Sequence, residues 1–551
     1  MRFLTLWLLV VVVVLSIGLG AFPLLDPDEG RNAEVGREMA LTNDYVMPRL
    51  DALPYLDKPI VYFAAEAAAM EILGPTELAA RLPAFLFTLA TAAFVAWFAR
   101  RVWGPREAMI APIVTLATPL TIAFSRTVIF DSALAFFITV AMGCFYLAIE
   151  GAPASSPAGP PPSRRRDAAG PAGGTPALHT VLAWAAIGFG VITKGPVAIA
   201  LPLLVAIPYA IWRKRAGAIW SLKGLIVFVL VIAPWVWAIS RAVPDFLHYV
   251  VVTETAERVA TKALKRTGPP WYFVPFLIFG ALPWSVVVIA GHTARPRDRE
   301  TPQPTLYLLL WLLIPFLFFS LSQSKRPQYI LPLMPAIALL ASRVWCESAR
   351  ARRWAGGVMM AFGAALVAAP WFVRLRPEYG EAARTSALIL GILALAGGAL
   401  AMVPWRYVAL AGITVPVIAI PMAANPVVNA IATRRSTAAF VAQLRPHIGP
   451  DTEIVGVEAY TGSMSFYLRR PIVVVTPDGE EFTSNYIIRH YSRFAGSATL
   501  KPPSWLGSAY DGDKVFIVRA GDTAHRAQLE GRGLRAVAVS ARYVAYASRM
   551  R

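Results

Sequence analysis

Thirteen stretches of the chain are apolar for long enough to cross a bilayer, and no water-bounded core can absorb that much apolar surface. A crossing helix needs ~20 residues. Such stretches begin near residues 5, 78, 107, 127, 178, 195, 221, 271, 305, 328, 353, 383 and 404. Of 551 residues, 57% are hydrophobic and 15% charged, against ~25% charged in soluble domains. The expectation is a polytopic α-helical membrane protein. The run after Met1-Arg2-Phe3 extends to about Gly20 and reads as an uncleaved first helix.

Basic residues orient the spans. Arg100, Arg101 and Arg106 follow the second, Arg164–Arg166 the fourth and Arg213–Arg215 the sixth. Arg295, Arg297 and Arg299 follow the eighth, and Arg350, Arg352 and Arg353 the tenth. Every cluster lies at an even-numbered exit, so these loops and the N-terminus are expected in the cytoplasm. An odd total leaves the C-terminus outside. Residues 150–177, rich in Pro, Ala and Gly, read as a cytoplasmic linker. Residues 1–429 then form a membrane domain. Residues 430–551 form a small external α/β domain, with strands expected at Glu453–Val457, Pro471–Val475, Val515–Val518 and Ala536–Val539. The net charge of +19 suits anionic lipid headgroups rather than nucleic acid in so apolar a chain. Cys144 and Cys346 lie in separate apolar stretches and suggest neither a disulfide nor a thiolate metal site.

The external loops break the charge rule. The first, residues 26–77, opens Asp26-Pro27-Asp28-Glu29-Gly30-Arg31-Asn32-Ala33-Glu34 and continues to Tyr55-Leu56-Asp57-Lys58-Pro59. Asp131 starts the fourth span, and Lys194 sits in the hairpin between the fifth and sixth. A later loop carries His248, Glu254, Arg258 and Arg266, and another Lys325, Arg326 and Tyr329. Short loops bring these groups together at one membrane face. Carboxylates among an excess of cations are what a phosphate-bearing lipid or sugar requires. The plainer reading of the first loop is a helix start, with Asp26 as N-cap, Pro27 at N1 and Glu29 closing a capping box. Lys194, Lys325 and Arg326 also suit interfacial anchoring.

The segments Pro27–Glu34, Asp57-Lys58-Pro59, Thr193-Lys194-Gly195 and Lys325–Pro332 resemble the bacterial lipid A aminoarabinose transferases. These belong to the GT-C glycosyltransferases, and the resemblance runs along the whole chain. It implies an enzyme of the bacterial inner membrane that takes 4-amino-4-deoxy-L-arabinose from undecaprenyl phosphate to lipid A phosphates on the periplasmic face, giving polymyxin resistance. Its partners are the undecaprenyl-phosphate-linked sugar, lipid A and membrane lipids. Asp28, with Asp131 and Glu29, is expected in the catalytic set. Lys58 is expected on the carrier phosphate, supported by Lys194, Arg258, Arg266, Lys325 and Arg326. Arg31, Glu34, Tyr55, Asp57, His248, Glu254 and Tyr329 are further pocket candidates. No cofactor is required, because side-chain cations suffice for a monophosphate leaving group. A divalent ion held by acidic residues stays open. Two other readings differ in outcome: a GT-C enzyme that glycosylates protein, and a lipid flippase that forms no covalent bond.

Overall fold

In a bilayer every backbone polar group must be satisfied within its own segment, so apolar runs fold as helices. A computed structural model describes residues 1–151, 176–250, 268–292, 303–374 and 376–547. Among these, nine helices are long and apolar enough to cross a membrane, from Glu77–Val102 to Arg406–Arg435. Two bent pairs, Pro105–Leu116 with Pro119–Ser125 and Pro270–Gly280 with Trp284–Gly291, raise the number to eleven. The expected thirteen is reached only if the shorter helices α1 (Arg2–Ser16) and Val197–Trp212 also cross.

Burial separates the inner helices from the lipid-facing ones. Asp131–Gly151 and Pro327–Glu347 are each 78% buried, whereas Ala216–Ala242 is 11% buried. The latter shows Val229, Leu230 and Trp237 to the outside, where hydrocarbon is their natural solvent. The enclosed pair bring Asp131 and the Arg326–Tyr329 turn to the same end of the bundle.

At that end lies the first loop. Helix α2 (Asp28–Thr42) leads to strands β1 (Arg49–Leu50) and β2 (Leu53–Pro54), then to α3 (Val61–Leu73). The hairpin turn puts Asp51 and Ala52 at φ 49° and 62°. Its left-handed geometry is held by the Asp51 carboxylate, which accepts from the Ile472 amide at 2.8 Å and the Ser465 hydroxyl at 2.9 Å.

The C-terminal segment folds as a six-stranded sheet. Strands β3 (Glu453–Val457), β4 (Val473–Val475), β5 (Leu500–Lys501) and β6 (Lys514–Arg519) run parallel in the order β5-β4-β3-β6. Two more, β7 (Arg535–Val539) and β8 (Tyr543–Ala547), extend it antiparallel as β6-β8-β7. The four strands expected from sequence are present, while β5 and β8 are additional. Leu50, Phe63 and Met39 of the loop share one hydrophobic cluster with Ile454, Phe466 and Ile517 of the sheet domain. Two glycines set the distance between them. A Cβ at Gly30 would lie 2.5 Å from the Ser463 nitrogen, and one at Gly462 would lie 2.5 Å from the Arg31 nitrogen. Close docking on α2 therefore demands glycine on both sides.

The start of α2 departs from the capping box. Pro27 is the N-cap and offers no side-chain bond. Asp26 instead accepts from the Ser463 amide at 3.2 Å and the Thr461 hydroxyl at 3.0 Å. Glu29 reaches the Leu25 amide at 3.0 Å. The docked domain supplies Asp26 with better donors than its own helix, and burial lifts its carboxyl to about 6 despite the Ser463 and Thr461 bonds.

Candidate active site

The polar cavity at the loop end of the bundle is about 110 Å³ and is built from six separate parts of the chain. The first turn of α2 contributes Asp28, Arg31 and Asn32, and the segment before α3 contributes Tyr55, Asp57 and Lys58. The bundle adds Asp131, Lys194, Arg326, Gln328 and Tyr329, and the sheet domain adds Thr483 and Asn485.

Asp28 is the hub. Its Oδ1 accepts from Arg31 at 2.8 Å and its Oδ2 from Arg326 at 2.9 Å, so one carboxylate holds two guanidinium groups. Arg31 donates onward to the Thr483 carbonyl at 3.1 Å and its hydroxyl at 2.7 Å. Burial alone would lower Arg31, but Tyr55, Asp28 and Asp57 outweigh it and hold the guanidinium protonated above its ordinary range. Asp131 pairs with Lys194, whose ammonium stands 4.8 Å from the centre of the Tyr329 ring. Asp57 accepts from the Tyr486 amide at 3.0 Å, the Asn485 amide at 2.9 Å and the Tyr249 hydroxyl at 2.8 Å. It thereby fixes the turn that carries Lys58, whose ammonium donates to the Asp57 carbonyl.

Not every residue singled out from sequence reaches this cavity. Glu29 points the other way, into a buried ion pair with Arg81. Glu34 pairs with Arg37 at 2.6 Å, fully enclosed. His248 is exposed, and its neighbour Tyr249 makes the contact with Asp57. Lys325 turns back to the carbonyl of Ser320 at 2.8 Å. Glu254, Arg258 and Arg266 lie outside the described residues. Sequence reasoning did not select Asn32, Gln328, Thr483, Asn485 or Tyr249. Asn32 and Gln328 lay within segments already noticed; Thr483 and Asn485 carried no signal, since only the docking of the sheet domain brings them to the cavity.

A second acidic group lies below α2. Glu34, Glu38 and Asp51 bring one oxygen each within 4.8 Å of one another, all buried. Oxygen-only donors suit a hard divalent cation, yet Arg37 already occupies both Glu34 oxygens. Burial lifts Glu38 to about 7, with the Asp51 charge adding to it, and lifts Asp51 to about 6. The folded state therefore keeps protons that the unfolded chain releases from about pH 4.5 upward. Stability contributed by protonated Glu38 is lost as pH rises from about 4.5 to about 7. Glu38→Gln is expected to melt higher than wild type at about pH 8, with the gap closing towards about pH 5. Differential scanning fluorimetry reads this; a variant that melts lower at the alkaline end would point to a bound cation instead.

A multi-helix membrane domain with a carboxylate-and-cation cavity at one end, closed by the sheet domain, is an arrangement suited to a glycosyltransferase that takes its sugar from a lipid phosphate. Residues 36–250 match the model of the dolichyl-phosphate-mannose-protein mannosyltransferase family. An undecaprenyl phosphate-α-4-amino-4-deoxy-L-arabinose arabinosyl transferase from Erwinia tasmaniensis is 31% identical over 402 residues, covering 70% of this chain and 68% of that protein. One of the same name from Edwardsiella ictaluri is 32% identical, covering 67% and 66%. The crystal structure of ArnT from Cupriavidus metallidurans bound to undecaprenyl phosphate superposes with a TM-score of 0.83 at 25% identity, over 99% of this chain and 98% of that one. The chain belongs to the family of undecaprenyl phosphate-aminoarabinose arabinosyl transferases.

Proposed function

We propose that this chain transfers 4-amino-4-deoxy-L-arabinose from undecaprenyl phosphate to a phosphate group of lipid A at the periplasmic face of the bacterial inner membrane. The observation that carries the reading is the Asp28 hub, with Arg31, Arg326, Lys58 and the Asp131–Lys194 pair around one cavity. Similarity at full length to a structure holding undecaprenyl phosphate supports the donor. The basic clusters after the even-numbered apolar stretches support a cytoplasmic N-terminus, with residues 430–551 on the periplasmic side.

The reaction is a single displacement with inversion. A phosphate oxygen of the acceptor bonds to the anomeric carbon as the bond from that carbon to the carrier phosphate breaks. Undecaprenyl phosphate leaves with the electron pair. The acceptor is already anionic near neutral pH, so no strong base is needed. Lys58, Lys194 and Arg326 supply positive charge for the departing phosphate, which is the largest electrostatic demand of the step. Asp28 sets the positions of Arg31 and Arg326 and offers its carboxylate to the sugar ammonium. Because cations already line the site, transfer is expected to proceed without a metal and to survive chelation.

In donor-producing bacteria lacking their own transferase, this chain is expected to add aminoarabinose to lipid A by mass spectrometry and to raise polymyxin tolerance. The added amine offsets phosphate charge. In the purified enzyme, Lys58→Ala is expected to raise the donor KM by about tenfold or more, the usual scale for a charge-assisted phosphate contact. Modified peptide in place of modified lipid A would transfer the assignment to protein glycosylation.

A further inference from the structure

On the other side of the α2 start lies a larger pocket, about 510 Å³, within the range of ~300–1,000 Å³ usual for ligand sites. It is separate from the Asp28 cavity yet shares one wall with it, Thr483, which Arg31 holds through two hydrogen bonds. Four arginines line it: Arg434, Arg435, Arg519 and Arg542. Two are committed, Arg434 to Glu378 at 3.0 Å and Arg519 to Glu481 at 2.9 Å. Arg542 donates to the Arg435 carbonyl at 3.0 Å and to the Tyr543 hydroxyl at 3.2 Å, which orients its guanidinium. Among the described residues, neither Arg435 nor Arg542 has a carboxylate partner at ion-pair distance. The third carboxylate beside Asp26 and Glu481 is Glu480, which is exposed.

Position narrows the ligand. Arg435 is the last residue of the final apolar span, Arg406–Arg435, so the pocket sits at the end of a span, the level at which lipid head groups are expected. Arg542 is close enough to the buried Asp26 to favour its charged form, yet neither it nor Arg435 forms an ion pair among the described residues, and guanidinium groups so placed match phosphate oxygens in two-point geometry. The neighbouring Asp28 cavity, at about 110 Å³, is too small to take the acceptor's head group as well. An acceptor whose reacting phosphate enters that cavity must leave the rest of its head group outside, and among the described residues this pocket adjoins the cavity across Thr483.

We propose that the pocket receives the phosphorylated sugar head group of the acceptor lipid, with Arg435 and Arg542 holding a second, non-reacting phosphate. This rests on the transferase reading and extends it to the acceptor. An acceptor with two phosphates gains from the pocket, and one with a single phosphate does not.

The test uses the full-length enzyme in zwitterionic nanodiscs and measures binding of bisphosphoryl and monophosphoryl lipid A, with turnover followed in parallel. The wild type is expected to bind the bisphosphoryl form about tenfold more tightly than the monophosphoryl form, the scale of a charge-assisted contact. In Arg435→Ala/Arg542→Ala the difference disappears while the donor KM stays in place. Arg532→Ala/Arg535→Ala, which removes equal charge outside this pocket, retains it. Arg435→Lys/Arg542→Lys keeps part of the gain and guards against misfolding of the alanine variant, as does its melting temperature. Unchanged preference in the double alanine variant overturns the proposal. So does a preference that collapses when anionic phospholipid is added to the wild type, since the pocket then serves the bulk head groups. Absence of product from the wild type strikes the transferase reading instead, and the binding result still stands or falls by itself.

Discussion

Asp28→Asn is expected to leave lipid A without aminoarabinose while the protein remains in the membrane at wild-type level. The amide keeps the shape of the side chain and loses its charge. Arg31 and Arg326 then face a neutral group where each had a carboxylate oxygen at 2.8 and 2.9 Å, and charge-assisted bonds are about twice as strong as neutral ones. Two changes follow for the reaction. The guanidinium groups are no longer held at the positions where charge develops, and the sugar ammonium loses its counter-charge. Removing one preorganised group of this kind typically costs ~10²–10³ in rate. In vitro kcat should fall by that order with a smaller change in donor KM, since the proposed reading leaves Lys58 and Lys194 in the cavity to meet the carrier phosphate. Asp28→Glu, which keeps the charge but displaces it by one methylene, should recover part of the rate. Mass spectrometry of lipid A from cells carrying each variant, beside membrane immunoblots, settles the matter. Full modification by the Asn variant would take Asp28 out of the chemistry and leave Asp131 as the carboxylate to examine.

How far residues can be read ahead of a structure depends on what determines them. Nine to eleven of the thirteen expected spans were legible because a bilayer imposes a minimum length and an apolar composition on each. Lys194 and Arg326, which line the Asp28 cavity, stood out in the sequence because they are cations in short loops that the expected orientation leaves poor in positive charge. Asp57 was found in the same loop, but its three donors, Tyr486, Asn485 and Tyr249, come from partners some 200 to 430 positions away. No local pattern announces such a pairing. The strand β8 was missed because Tyr543-Val-Ala-Tyr-Ala547 has no alternation: all five residues are buried, and a strand covered on both faces loses its period-two signal. The Asp26 carboxylate was misread as a helix cap for a related reason. The local rule was sound, and the donors of a domain 435 residues away overrode it.

Glu29 stands in the expected catalytic set, and its surroundings argue for a different role that can be measured. Arg81 is fully buried and Glu29 is 2% exposed; they pair in bidentate fashion at 2.8 and 3.1 Å. Arg81 also donates to the carbonyls of Phe22 at 2.8 Å and Pro23 at 3.2 Å, and Glu29 accepts from the Val128 amide at 3.0 Å. One ion pair thus joins the exit of α1, the first turn of α2 and the start of the Asp131 helix. Removing one partner leaves the other charged and buried, a loss of ~3–5 kcal/mol. Glu29→Gln and Arg81→Met are each expected to reduce the yield of monodisperse protein sharply and to lower its melting temperature. The double variant should melt above the sum of the two losses, because no unpaired charge remains. Nearby Glu66, enclosed with no bond to either oxygen and pushed well above the ordinary carboxylate range by burial and by the Glu29 charge, makes an additional unpaired carboxylate unwelcome there. The decisive comparison is between stability and turnover. If Glu29→Gln melts like wild type yet fails to modify lipid A, Glu29 acts on the substrate. If it melts far lower and the surviving folded fraction turns over normally, its work is to seat Asp28.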